Sequence, residues 1–577
     1  MVETGRDPVT TEDFAFEDAP GFRLRDYQRE WMHAVEHDRL THSRLLIDAP
    51  GGTGKTSFFA ALAHREWTAN KGRTLILENR DKLVRQTADR IRNETGLECE
   101  IEMAEQRASP FAPIVVASVA SLGRVNRLTG FADTHFAIVV ADEAHHSCAP
   151  LFKRVMDYFY FGADSLGADW KPPEDGLFTP KCLIVGTTAT PDIGARKNLG
   201  SIYQKFSVRY SYLNAIEDGW LVGLKEHNIP VRIDTRKFRV KRTGQGMDFS
   251  PEDESAALIP IIEELAQQIV DLAATKKTMA FLPSLECARL MAEALNRRGL
   301  KATYVSGVCL DKDEKTEEFA AHGPGICLCL CALYVEGADF PDVDCVAWMR
   351  ATISEAFYKQ GLYRATRVLP GIVSDDMTAG QRRAAIAASA KPYSLIISPF
   401  FISDRIDICS VHDLFVDRNE FPDSKKKMKG DMTDPEKIRD FIAALRKAAD
   451  KHAHKQARTI DPVRFGLSLG DASLANYTPE TQADAAPATK AELDFLLEKG
   501  LDTTQVRNSG HAQKLIARFM ERERLGLASP KMLMQLLLLG FPEDNAVLIK
   551  KGLAGVIVGK RIRYRKPVEN TVDSFPA

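Results

Sequence analysis

Neither sign of charge is in excess. The 577-residue chain sets 77 Lys and Arg against 79 Asp and Glu, a formal net charge of −2. A surface for nucleic acid would therefore have to be a local basic patch, not a property of the whole molecule. Long apolar runs are also missing, and none is long enough to span a bilayer. The opening stretch MVETGRDPVTTEDFAFEDAP is acidic and has no apolar h-region, which argues against a secretory signal. The ten cysteines are scattered and make no disulfide framework. CLCLC (Cys327, Cys329, Cys331) has no His or second Cys pair nearby, so it reads as a buried strand with thiols packing as small hydrophobes. HAHK (452–455) sets two His on a basic helix without partner carboxylates and is not read as a metal site. No nuclease constellation is visible in the C-terminal part. What these absences leave is a soluble chain of a reducing, cytoplasmic compartment. Its 44% hydrophobic and 27% charged residues are those of a globular protein, and its length suits roughly three to four domains.

Against these absences stand stretches that handle phosphate. RLLIDAPGGTGKT (44–56) reads as a short apolar strand, a glycine-rich turn and a helix starting near Lys55. Gly51, Gly52 and Gly54 let the backbone curl its N–H groups inward around an anion, and the helix start adds a positive dipole end. Thr53 lies within the same turn and Ser57 just past it. Lys55 can reach the β- and γ-phosphates of a nucleotide, and Thr56 offers a hydroxyl to Mg²⁺. Ala49 stands where the motif has its first glycine, a position that needs only a small residue. IVVADEAHHS (138–147) then reads as an apolar strand ending in Asp142 and Glu143. A buried parallel strand delivers both to the C-terminal sheet edge, where open α/β sheets bind ligands. Asp142 would hold Mg²⁺, mostly through water, and Glu143 would orient and deprotonate the attacking water. Finally, QGLYRATR (360–367) spaces Arg364 and Arg367 for one helix face, so that two planar guanidiniums can aim at one anion.

In this order, APGGTGKT, DEAH (142–145), TTATP (187–191), LYVEGADFPDVD (333–344) and QGLYRATR resemble the motif series of superfamily 2 helicases of the DEAD/DEAH-box type. FRLRDYQREW (22–31) is similar to the family's glutamine motif. LRDYQ, DEAHH and EGADFP are closest in form to the Rad25/UvsW-like and type I/III restriction-subunit-like branch. The resemblance spans roughly residues 20–400. It implies two tandem RecA-like domains, doubly wound around mostly parallel sheets, with ATP and Mg²⁺ in the cleft between them. It implies that Gln28, with Arg25, reads the adenine edge and that Gly337 and Asp339 also serve the nucleotide. Arg364 and Arg367 would reach the γ-phosphate from the second domain, and Gln360 would bond toward His145 or the water. Tyr363 departs from the family's QxxGRxxR, which has glycine there. LILENRDKLVRQ (75–86), VVASVASLGR (115–124) and TTATP imply strand contacts at Arg80, Arg85, Ser118, Ser121, Arg124, Thr188 and Thr190.

The expected layout is an acidic tail over 1–20, a first domain over 21–225, a second over 226–415, a helical basic connector over 416–485 and a helical accessory domain with a basic tail over 486–577. FGADSLGADWKPPEDGLFTPK (161–181) is an insertion, either a surface loop or a strand-separating or partner-binding element. KKKMKG (425–430) is either a solvated loop or a nucleic-acid patch. EKIRDFIAALRKAADKHAHKQAR reads as helix, and HAQKLIARFMERERLG as a basic amphipathic helix. ATKAELDFLLEKGL (488–501) and ASPKMLMQLLLLGF (528–541) look like a repeat of short helices capped by Thr489 and Ser529. With the basic GKRIRYRKP (559–567), this module is open between nucleic-acid docking, a protein partner and a structural role. The function expected is an ATP-driven motor on nucleic acid, DNA favoured over RNA. It is either a helicase that separates strands or a translocase that tracks or remodels duplex; a nucleotide-dependent clamp is the alternative from another class.

Overall fold

The computed structural model describes residues 21, 23–173, 178–189, 199–243, 246–307, 309–331, 340–403, 408–416, 428, 430–457, 482–498, 508–528 and 549–559, with isolated positions between the last segments. The chain divides into two compact units, one up to Leu445 and one from Arg446.

The first unit holds two seven-stranded sheets. Strands β1 (Arg44–Asp48), β2 (Thr74–Glu78), β3 (Cys99–Glu102), β4 (Ile114–Ser118), β5 (Ile138–Ala141), β6 (Leu183–Thr188) and β7 (Lys205–Arg209) lie in the order β3-β4-β2-β5-β6-β1-β7. Every pairing is parallel. β2, β4, β5 and β6 are buried at every position. They are therefore continuous apolar runs and not alternating ones, as helices on both sheet faces require. One face packs Leu45, Ile47, Ile76 and Val140 with Phe58 and Trp31. The other packs Leu46, Leu77, Val139 and Ile184 with Phe159 and Tyr203.

The second sheet takes its first strand, β8, from Gly223–Asp234. A two-stranded antiparallel ribbon follows, β9 (Val240–Thr243) with β10 (Gly246–Phe249). Then come β11 (Lys277–Leu282), β12 (Lys301–Val305), β13 (Ile326–Cys331), β14 (Cys345–Trp348), β15 (Tyr393–Ile402) and β16 (Asp431–Met432), in the order β12-β13-β11-β14-β15-β8-β16. Only the short β16 runs antiparallel. The CLCLC stretch is β13, with Cys327 and Cys329 fully buried. The architecture is thus α/β, with two parallel sheets of seven strands consistent with tandem RecA-like domains. Each chemistry-bearing motif of the first domain leaves the C-terminal end of β1, β5 or β6, three adjacent strands.

The insertion after the helix Pro150–Phe161 is anchored by aromatic side chains. Phe161 lies 5.0 Å from Trp170 and 4.8 Å from Phe178, and Phe178 reaches Tyr160 at 5.3 Å. Lys181 pairs with Asp133 at 2.6 Å. EKIRDFIAALRKAADKHAHKQA is helical within Pro435–Ala457. In the second unit, the helices Lys490–Glu498 and Ser509–Arg524 close on Leu496, Ala512 and Leu515. Thr489 and Glu492 cap the first of these reciprocally. Most of KKKMKG, most of the second repeat copy and the basic tail beyond Gly559 lie outside the described residues. Among the described residues no helix is long and apolar enough to cross a membrane.

Candidate active site

The phosphate loop forms where β1 ends. Gly52 and Gly54 take left-handed backbone angles, φ +88° and +72°, which favour glycine. Gly54 is the N-cap of the helix Lys55–Asn70. Thr53 is fully buried and donates its hydroxyl to Pro50 O at 2.8 Å, stapling the turn. The Lys55 ammonium lies 3.1 Å from Ala49 O and 3.3 Å from Pro50 O, inside its own loop. Thr56, the next residue, is half-buried. Ser57 turns the other way: its hydroxyl donates to Glu94 at 2.9 Å and accepts from Arg90 at 2.8 Å.

The helix Asp26–Asp38 braces this loop from behind. Tyr27 donates to Thr53 O at 2.7 Å, and Gln28 Nε2 reaches Thr53 O and Gly54 O at 3.3 and 3.0 Å. Gln28 Oε1 accepts from Arg25 N at 3.1 Å, so both ends of this amide are engaged with backbone. The Arg25 guanidinium lies 3.9 Å above the Trp220 ring. Arg25, Gly52, Trp220 and Arg367 line a cavity of about 230 Å³ together with Val368–Gly371 and Val373.

Parallel register sets Leu77 opposite Ala141, and Ala141 opposite Gly186. The residues that follow, Glu78, Asp142 and Thr187, therefore come level at the sheet edge. Asp142 Oδ1 accepts from Glu143 N at 2.9 Å and from the Thr187 hydroxyl at 2.6 Å. Burial raises the Asp142 pKa, Glu143 adds to this, and Lys55 and Thr187 oppose it. Glu143 has φ +48°, strained for a residue with a Cβ. Its Oε2 lies 3.3 Å from His145 Nδ1, which is 3.2 Å from Thr188 Oγ1. Burial would raise the Glu143 pKa, but the hydrogen bond and charge of His145, then Lys55 and His146, bring it down to about 2. Glu78 was not anticipated. It is buried at the end of β2, accepts from the Thr87 hydroxyl at 2.7 Å, and burial with the charge of Asp142 pushes its carboxyl well above the usual range. A glutamate ending the apolar run LILE was the available signal.

The second domain brings its arginine segment to the same loop. Ser354 caps the helix Glu355–Tyr363, accepting from Phe357 N. The expectation that Arg364 and Arg367 share a helix face does not hold. The helix stops at Tyr363, the Thr366 hydroxyl closes onto Tyr363 O at 3.1 Å, and Val222 N donates to Thr366 O at 2.9 Å. Pairing with the interdomain segment thus wins over another helical turn, and Arg367 sits opposite Leu221 in an antiparallel bridge. Its Cγ lies 3.1 Å from where a Cβ on Gly52 would stand. Burial, then the charge of Arg90, lowers its pKa to about 10. Arg364 is half-buried at the helix end. Gln360 is 6% exposed, and its Nε2 has no hydrogen-bond partner among the described residues.

The strand-contact candidates divide by exposure. Arg85 and Arg124 are exposed, while Arg80 and Ser121 are half-buried, and Ser121 accepts from Ala104 N at 3.0 Å. Ser118 and Thr188 are buried, and Thr188 is bonded to His145. Thr190, Gly337 and Asp339 lie outside the described residues.

Residues 21–193 match the family of the type III restriction enzyme res subunit. The chain is 26% identical over 356 residues to irc3 of Schizosaccharomyces pombe, which bears the name of a mitochondrial ATP-dependent helicase; 60% of this chain and 56% of that one are covered. It is 25% identical over 241 residues to the type I restriction enzyme EcoAI endonuclease subunit of Escherichia coli, covering 40% of this chain and 27% of that one. The chain spans about half the length of the helicase relatives it matches. Among solved structures, the DNA-bound Type ISP restriction-modification enzyme LlaBIII aligns over 90% of this chain and 37% of its own, at 16% identity and a TM-score of 0.48. The matched segment, residues 21–193, carries the phosphate loop, Asp142 and Glu143, so the likeness to the type III restriction enzyme res-subunit family and the geometry of the site fall on the same part of the chain.

Proposed function

We propose that the chain is an ATP-dependent helicase or translocase that acts on nucleic acid, with DNA the favoured polymer. The observation that carries this reading is Arg367 of the second domain lying against Gly52, on the loop whose neighbouring strands present Asp142 and Glu143. A triphosphate held there would be touched from both domains. Binding would draw them together, hydrolysis would release them, and a strand lying across both would be gripped in alternation. Glu143 would orient the attacking water. Arg367 and Arg364 would stabilise charge on the transferred phosphoryl group. The buried Gln360 amide, whose Nε2 has no partner among the described residues, fits a bond toward that water.

The residues present fit a divalent cation. Thr56 and Asp142 are oxygen donors, and Asp142 spends Oδ1 on protein groups. Among the described residues no cluster of three metal-ligating side chains forms. This suits Mg²⁺, which takes one or two protein oxygens and completes its shell from phosphate and water. DNA is favoured because restriction-enzyme subunits are among the relatives.

The test is nucleotide hydrolysis by the full chain with no polymer, single-stranded DNA, duplex, forked DNA and RNA in parallel. Stimulation by DNA, and its loss in Lys55→Ala and Glu143→Gln, is expected; full activity in either variant contradicts the assignment. Strand displacement on the fork separates helicase from translocase, and nucleotide binding without turnover would mark a clamp instead.

A further inference from the structure

Tyr363 stands where the family's motif has glycine, directly before Arg364. The structure gives this replacement a counterpart in the other domain. A Cβ built on Gly51 would lie 3.0 Å from the Tyr363 Cβ and 3.5 Å from its Cγ and Cδ2. All three of its nearest neighbours are thus atoms of one tyrosine. Gly51 is not among the glycines with positive φ, so its backbone would accept a side chain and the obstacle is Tyr363. Side chain and its absence are complementary across the two domains, at the loop that would grip phosphate.

The tyrosine is firmly seated. It is 6% exposed and lies 5.8 Å from the Tyr212 ring. Burial pushes its phenol up to about 12, Lys359 working against this and Asp48 and Glu355 with it. Asp48 ends β1 at the root of the loop, so the phenol is within electrostatic reach of the strand as well as packed on the turn. Three residues on, the Val222–Thr366 hydrogen bond ties the same segment to the interdomain connection.

We propose that Tyr363 is a positioning residue, a latch by which the second domain holds the phosphate loop, so that nucleotide leaves only when the ring lifts from Gly51. This rests on reading the site as an ATP hydrolysis centre. Had glycine stood at 363, no side chain from that position could reach Gly51.

Stopped-flow release of the fluorescent analogue mant-ADP from the full chain tests the latch. Tyr363→Gly should speed release about tenfold, because trimming a contact surface acts chiefly on dissociation. Tyr363→Phe keeps the ring and should keep the wild-type rate. Gly51→Ala supplies the missing Cβ, so it should lift the ring and speed release alone. Combined with Tyr363→Gly it should add nothing further, since two changes that break one contact are not additive. Equal release from wild type and Tyr363→Gly overturns the latch. So does a double variant whose effect is the product of the two singles. If mant-ADP fails to bind the wild-type chain at all, it is the hydrolysis reading that falls.

Discussion

Arg367 occupies a position in which its own charge is disfavoured: burial and the neighbouring Arg90 both lower its pKa, to about 10. It still carries its proton near neutrality. An anion brought to Gly52 would offset that penalty, and a phosphoryl group gaining negative charge in flight would do so most. The cost of holding the guanidinium there is therefore recovered chiefly in the transition state, which is where a rate is set. Arg367→Ala should accordingly lower kcat by about 10³ to 10⁵, the range for such arginines, while mant-ADP affinity changes little. Arg367→Lys should not restore the rate, because a point charge lacks the planar two-donor fork. Single-turnover hydrolysis is the measurement, and a loss of less than about tenfold in the alanine variant would remove Arg367 from the chemistry. Glu143 is the opposite case. His145, Lys55 and His146 overcome burial and keep it a carboxylate down to about pH 2. A fall in rate between pH 8 and pH 5 in a kcat–pH profile would therefore point to a group other than Glu143.

The helix Glu355–Tyr363 decides where these groups point, and its seat on the second sheet is set by one glycine. A Cβ on Gly361 would come within 2.5 Å of Trp348 Cζ3 and 3.4 Å of Phe281 Cζ, both on buried rings. Trp348 ends β14 and cannot retreat, being packed against Phe281, Phe357 and Tyr358. Gly361→Ala must therefore push the helix outward, at about 1–3 kcal/mol for overpacking. Turnover should fall more than nucleotide binding, since Gln360 and Tyr363 flank the wedge. Thermal unfolding and steady-state kinetics on the same sample check both halves; unchanged kinetics would mean the helix does not register the arginine segment. The glycine is visible in QGLYRATR, but the tryptophan it must fit is not. That contrast runs through the whole site. The loop 49–56 and Asp142 with Glu143 follow from short contiguous patterns whose chemistry is local, and the two parallel-sheet domains from the family resemblance those patterns carry, without their strand count. Glu78 depends on which strands become neighbours. The end of the helix at Tyr363 depends on a backbone pairing with Val222. The meeting of Tyr363 with Gly51 depends on the approach of one domain to the other. None of the three has a period or spacing along the chain.

At the scale of the whole molecule, a net charge of −2 provides no general attraction for a polyanion. If the chain holds a nucleic-acid strand, local cations must do it, and in the first domain Arg85 and Arg124 are exposed and Arg80 is half-buried, whereas Ser118 and Thr188 are buried. Contacts of this kind release counterions, so their strength falls with salt at about −0.7 in log–log slope per phosphate on single strands. The two exposed arginines should give the DNA-stimulated part of the hydrolysis rate, measured at subsaturating DNA, a slope of about −1.4. The unstimulated part depends on groups sheltered between the domains and screened far less, so it should change little over the same range. Arg85→Ala or Arg124→Ala should each flatten the slope by about 0.7, by the same rule, and leave the unstimulated rate alone. If both rates instead fall together with salt, or if neither substitution alters the slope, the strand is held elsewhere, and the motif similarity at residues 75–86 and 115–124 would then describe the frame of the first domain and not its grip.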